Sequence, residues 1–202
     1  IGAGGVGTSM AAIAESRNFF RTFTLADVSL ESAQRAIEKL TDAQRFNAVQ
    51  LDARSESHIV ALIKECGADF VVNACDPRLN EPIFNACFTA GVHYMDMAMN
   101  LSTPHATDPY NQVGEILGHK QFSAHEAWID KGLLALVGMG VEPGLSDVFA
   151  RYAADNLFDT IDEIGVRDGA NLAIEGYDFA PTFSIWTTIE ECLNPPFGIS
   201  AA

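Results

Sequence analysis

Basic residues are scarce in this chain of 202 residues: 12 Lys and Arg stand against 27 Asp and Glu, a net charge of −15. So acidic a surface repels phosphate backbones and anionic lipid, so neither nucleic acid nor a membrane is an expected partner. No apolar run reaches the length of a membrane span. The four cysteines, Cys66, Cys75, Cys87 and Cys192, form no C-x-x-C pair and no disulfide framework, which points to a reducing cytoplasm. His125-Glu126 does not continue to H-E-x-x-H, and no two histidines stand at metal-binding spacing, so no metal is expected. A G-x-S-x-G elbow and a G-x-x-x-x-G-K-[ST] loop are missing too, which removes those hydrolase and triphosphate readings.

What is present begins at the first residue. Ile1-Gly2-Ala3-Gly4-Gly5-Val6-Gly7 spells G-x-G-x-x-G, the phosphate-binding turn of a dinucleotide-binding βαβ unit. Gly2 allows the tight turn, Gly4 lets backbone approach a pyrophosphate, and Gly7 lets the next helix pack close to the sheet. Backbone N–H groups and the positive helix end then face the anion. Two features of context support the motif. Val6, Met10, Ile13 and Ala14 share one face of a following helix, and Asp27 ends the next apolar strand, 20–26, where a ribose-binding carboxylate belongs. A buried strand of about five or six residues should precede the turn. Only Ile1 stands there, so the chain reads as a fragment cut inside its first strand, with neighbouring strand edges left open.

Strands and helices then alternate. Ser29 caps a helix carrying Leu30, Ala33, Ile37 and Leu40 on one face; 46–51 is a strand ending at Asp52. Ser55 caps a helix with Ile59, Leu62, Ile63 and Cys66 in register, and Gly67 stops it. A short strand at 70–73, a helix opened by Asn80 and Pro82 and ended by Gly91, and a strand at 93–97 follow. Residues 99–118 are polar and aperiodic, as lids and binding loops often are. A helix at 121–131, a strand at 133–137 and a helix at 145–158 complete the pattern. The expected fold is α/β: a doubly wound parallel sheet, a Rossmann-type dinucleotide-binding domain over 1–158. Residues 161–168 alternate like an antiparallel strand and 184–193 read as a short helix. The 159–202 stretch therefore reads as the beginning of an incomplete catalytic or substrate domain of α+β type.

Ligands of such sheets bind beyond the carboxyl ends of the strands. That rule selects Gly2 to Gly7, Asp27, Asp52-Ala53 beside an adenine ring, Asn73-Ala74-Cys75-Asp76, Asp96 with Asn100, and a second glycine turn, Gly138 to Gly144. Asp52 has a second reading as a turn cap. Cys75 reads as a small buried residue, because no histidine stands near enough in sequence to activate it. Tyr94 reads as a satisfied strand residue. Asp96, ending an apolar strand, needs either a partner or a task. Arg78 and Arg167 read as anchors for a substrate carboxylate or as solvated charges.

The whole chain resembles the saccharopine dehydrogenase family in three stretches: residues 1–7, Gly91-Val92-His93-Tyr94-Met95-Asp96, and the run from Gly138-Met139-Gly140-Val141-Glu142-Pro143-Gly144 to Ala150. The G-x-x-P-G turn in the third is the most specific. The resemblance implies an NAD(P)-dependent oxidoreductase acting at a carbon–nitrogen bond of an amino acid or its conjugate, with a small-molecule amino-acid-like substrate. A homodimer is expected for the full-length protein. Carried onto this chain, Gly2, Gly4, Val6 and Gly7 would hold pyrophosphate, and Asn73 and Ala74 would lie near the nicotinamide ribose. Gly5, Asp27, Asp52, Ala53 and Cys75 are expected at the cofactor from their places in the turn and at the strand ends. Asp96, with Gly140 to Gly144, would flank nicotinamide and substrate, and Asp96 with His93 would orient the amine or manage its proton. Family reductases that use NADP carry a basic residue after the strand that ends here at Asp27, whereas Ala26-Asp27-Val28-Ser29 has none. NAD is therefore expected over NADP. The alternatives are a carboxynorspermidine dehydrogenase-like reductase of polyamine imines and a non-catalytic dinucleotide-binding protein.

Overall fold

The computed structural model describes residues 1–167, 173–177, 185 and 189. Its strands are β1 Phe23–Asp27, β2 Phe46–Gln50, β3 Phe70–Asn73, β4 His93–Asp96 and β5 Ala135–Leu136. All pairings between them are parallel. β1 pairs with β2 (Leu25 beside Ala48), and β4 lies between β3 and β5 (Val71 beside Tyr94, Tyr94 beside Ala135). The helices are α1 Gly5–Glu15, α2 Leu30–Glu38, α3 Glu56–Cys66, α4 Asn80–Ala90, α5 His119–Ser123, α6 His125–Asp130 and α7 Leu145–Asn156.

Residues 1 and 2 join the two half-sheets. Ile1 N–H donates to Val72 O (2.7 Å), Ala74 N–H to Ile1 O (2.8 Å), and Gly2 N–H to Ala26 O (2.7 Å). The spatial order is thus β2-β1-(Ile1, Gly2)-β3-β4-β5, a doubly wound sheet whose order reverses at the glycine turn. Away from that turn, a slot of about 820 Å³ separates β1 from β3.

Sheet geometry divides the core. Leu25 and Ala26 are neighbours on β1 and point to opposite faces. Leu25 joins Ala3, Ala33 and Ala36 under α1 and α2, whereas Ala26 joins the larger cluster of Ile59, Ile63, Val71, Ile83, Phe84, Tyr94 and Trp128. In that cluster Phe84 meets Tyr94 edge-on at 5.2 Å and Trp128 at 4.7 Å.

The helix ends follow their chemistry. Ser29 Oγ accepts from Ser32 N–H (3.2 Å) and Ser55 Oγ from His58 N–H (3.4 Å). Gly67 and Gly91 close α3 and α4 with left-handed φ of 59° and 76°.

Four expectations need correcting. The strand at 20–26 starts only at Phe23, because Phe20 turns onto Phe23 and Phe46 under the Arg45 guanidinium, 4.5 Å from its ring. The helix at 121–131 is two short helices. Ala124, with ψ near 0°, tightens the turn by donating to Gln121 O. The helix at 145–158 ends at Asn156 and buries none of its residues, leaving Val148, Phe149 and Tyr152 exposed. Residues 161–167 form no strand and none pairs with them among the described residues, and Asp168 lies outside the described residues. The helix at 184–193 also lies outside them, apart from Ile185 and Ile189. Among the described residues no helix is long and apolar enough to cross a membrane.

Candidate functional site

At the switch point the chain builds a cleft from backbone and small residues. Gly2 has φ of 99°, and a Cβ there would lie 2.8 Å from Ala74 O. A Cβ on Gly7 would collide with the Gly2 carbonyl oxygen. Both glycines are therefore demanded by the fold itself. Gly4 and Gly5 differ, because no protein atom lies within 4 Å of where their Cβ would be. That open space lies at the amino end of α1, where free N–H groups and the helix dipole favour an anion.

Asp27 ties the turn to β1. Its Oδ2 accepts from Ala3 N–H (2.8 Å) and its Oδ1 from Ser29 N–H (2.9 Å). Each oxygen keeps a second lone pair for a ribose hydroxyl. Asp27 lines a cleft of about 460 Å³ with Gly2, Gly4, Asp52, Ala53, Ala74 and Cys75, closed by Leu51 and Leu79. The size and lining suit the adenosine and pyrophosphate of a dinucleotide. At its rim Asp52 takes both the backbone N–H and the guanidinium of Arg54, which hold its carboxyl down at about 2. Cys75 is half-buried, and burial pushes its thiol up, against a role as nucleophile.

The other loops at this end are held by buried polar side chains. Asn73, Asn80, Asp96 and Gln121 are each no more than 5 % exposed, and Tyr94 is wholly buried. Asn73 does not line the cleft. Its Oδ1 accepts from Cys75 N–H (2.9 Å), and its Nδ2 donates to Asn80 Oδ1 (2.7 Å) and Tyr94 OH (3.2 Å). Asp96 Oδ1 accepts from Gly138 N–H (2.7 Å); its Oδ2 accepts from Tyr94 OH (2.9 Å) and Gln121 Nε2 (2.6 Å). Burial pushes this carboxyl up, while those three donors pull it back toward the ionised form. Gly138, at φ of 68°, and Gly144, at φ of 133°, shape the second glycine turn. There a Cβ on Gly140 would collide with Met97 O.

His93 is not brought to this end. It opens β4, three residues before Asp96, and its Nδ1 accepts from Leu134 N–H (3.0 Å) at the amino edge of the sheet. The sequence reading missed Arg54 at the rim and the partners Asn80 and Gln121. The available signal was chemical: two asparagines, a tyrosine and an aspartate in strands and helices that otherwise bury apolar groups must satisfy one another.

Residues 1–136 match the model of the saccharopine dehydrogenase NADP binding domain. Carboxynorspermidine synthase of Vibrio alginolyticus is 31% identical over 98% of this chain and 48% of its own length. Carboxyaminopropylagmatine dehydrogenase of Synechocystis sp. is 30% identical over 95% of this chain and 46% of its own. The chain thus spans about half the length of these curated relatives. In structure it is similar to apo saccharopine dehydrogenase (L-Glu forming) from Saccharomyces cerevisiae, with a TM-score of 0.58 at 13% identity. The match covers 77% of this chain and 30% of that one, a likeness of fold. A doubly wound sheet, a glycine turn at its switch point and a family match over residues 1–136 lead to one assignment: the chain belongs to the saccharopine dehydrogenase family and carries its nicotinamide dinucleotide-binding domain.

Proposed function

We propose that this chain is the dinucleotide-binding part, residues 1–158, of an NAD(P)-dependent oxidoreductase acting at an amine or imine carbon. Residues 159–202 then begin its catalytic domain. The supporting observation is the cleft at the switch point, in which a glycine turn, an open helix end and Asp27 meet. Bound there, the cofactor would supply a hydride acceptor or donor at its nicotinamide. The chain's own residues do the rest. The α1 amino end holds the pyrophosphate, Asp27 the adenosine ribose, and Asp52 with Ala53 the adenine side. Ala74 and Cys75 face the second ribose, and the loops after β4 and β5 flank the substrate. Relatives named for carboxynorspermidine and carboxyaminopropylagmatine match nearly the whole chain, which favours a carboxylated polyamine imine within the broader class of amino-acid conjugates.

NAD is favoured over NADP. A 2′-phosphate would bring a second anion beside the Asp27 carboxylate. Like charges at ~4 Å repel by about 1 kcal/mol in water and about 4 kcal/mol at a protein-surface dielectric. Since each 1.4 kcal/mol is tenfold, the preference is roughly tenfold to a thousandfold. Arg54 lies across the cleft, already paired with Asp52. Calorimetric titration of the full-length protein with NADH and NADPH, then turnover with carboxylated polyamine imines and amino acids, tests the reading. Tighter NADPH binding overturns the preference. Nucleotide binding without turnover of any such substrate favours the non-catalytic reading.

A further inference from the structure

We propose that Asp96 is a positioning residue: as the hub of a buried hydrogen-bond network, it fixes the three loops at the substrate end of the sheet. One arm runs from Asp96 Oδ2 through Tyr94 OH to Asn73 and ends on Cys75 N–H, in the loop that lines the cofactor cleft. A second arm runs through Gln121, whose Oε1 accepts from Asn100 N–H (2.9 Å) in the loop after β4. The third arm is direct: Oδ1 and the Asp96 backbone oxygen accept from Gly138 and Met139 N–H (2.7 and 2.9 Å), in the second glycine turn. Asn80 braces the middle by donating from Nδ2 to Ala98 O (2.5 Å).

Direction matters in this network. Three donors converge on the two carboxylate oxygens, and an ionised carboxylate is acceptor-only, so it satisfies all three. An amide offers one acceptor oxygen and two donors, so at least one arm would meet a donor with a donor. Both oxygens also point into protein at a residue 1 % exposed, so neither oxygen is open to direct contact with a substrate. The same carboxylate is thus poorly placed for proton transfer and well placed to hold loops in register. Loop register is what a hydride transfer needs, since a displacement of about 1 Å can cost about a hundredfold in rate.

The kinetic half of this proposal rests on the functional reading above; the structural half does not. The test is amide hydrogen exchange in full-length protein, with each arm cut separately. Tyr94→Phe removes the link to Asn73, so Cys75 N–H should exchange at least tenfold faster while Asn100 and Gly138 stay protected. Gln121→Met should release Asn100 and spare Cys75. Asp96→Asn should release all three, with Ile59 and Ile83 in the core unchanged. In turnover, Tyr94→Phe should lower kcat about tenfold to a hundredfold with the KM for nucleotide little altered. The pH limbs of kcat should keep their positions in every variant that turns over. Uniform acceleration in all variants, or an unchanged Cys75 in Tyr94→Phe, overturns the hub. A pH limb lost in Asp96→Asn alone would return proton transfer to Asp96. Absence of amine-dependent turnover in the wild type would sink the functional reading, while the exchange pattern would still decide the hub.

Discussion

The two half-sheets meet at residues 1 and 2 and present their carboxyl ends to one cleft, yet they hold their loops differently. In the β1–β2 half the carboxylates bond largely close in sequence, the exception being Ala3 N–H on Asp27, 24 positions away. Asp27 accepts from Ser29 N–H and Asp52 from Arg54 N–H, each two residues on. In the β3–β5 half Asp96 accepts from Tyr94 two residues back and also from residues 25 and 42 positions away. The cores differ in the same sense. Under α1 and α2 the buried set is Ala3, Leu25, Ala33 and Ala36, whereas α3, α4 and α6 cover large side chains around Tyr94 and Trp128. Small residues and local turns suffice to cradle an adenosine diphosphate, which every dinucleotide shares. Loops that align a reacting carbon need support from several elements at once.

The largest effect should come from the heavier core. Phe84→Ala removes the ring between Tyr94 and Trp128 and should cost about 3–5 kcal/mol of stability. Phe20→Ala, on the half-buried aromatic edge of the other half, should cost only ~1 kcal/mol. Urea denaturation of both variants in the full-length protein checks the contrast. Equal losses would mean that the two halves are held alike.

Within the cradle, two glycines should separate folding from binding. Gly4→Ala adds a methyl where no protein atom lies within 4 Å, so Tm should hold while NADH affinity falls by about tenfold or more. Gly7→Ala sets a Cβ against the Gly2 carbonyl oxygen, so Tm and affinity should fall together. Calorimetry and thermal melting on the same samples read both quantities. A lowered Tm in Gly4→Ala would show that this glycine too serves packing.

The same division explains what could be read in advance. Glycine spacing, serine caps and strands ending in aspartate are local, so Gly2 to Gly7, Ser29, Ser55, Asp27 and Asp52 stand out in the sequence. The parallel order followed from strand–helix alternation. The network around Asp96 is non-local. Nothing near Asp96 announces Gln121 or Gly138, and a role at the proton looked as natural as one in holding loops. His93 shows the complementary error: sitting near Asp96 in sequence, it lies at the far edge because each strand residue advances about 3.3 Å. The break at Ala124 depends likewise on neighbours that periodicity does not reveal.

The smallest effect is a difference in acid response between the halves. Asp52 is drawn down from 3.8 to about 2 by Arg54. An acid with a depressed folded pKa contributes stability that is complete above its unfolded value and lost as pH falls through the folded one. Its contribution should therefore disappear between about pH 4 and about pH 2. Asp96 is displaced the other way by burial, so its contribution declines as pH rises through its folded pKa. The first group is exposed and screened by salt; the second is buried and is not. Unfolding titrations of wild type and Asp52→Asn in low salt should differ slightly above pH 4 and converge as pH falls toward about 2, and 1 M salt should erase that difference, the Debye length there being about 3 Å. The opposing slope above pH 4 should persist in both salts. If salt removes it as well, the carboxylate responsible is at the surface, and the buried network does not set the acid response of its half.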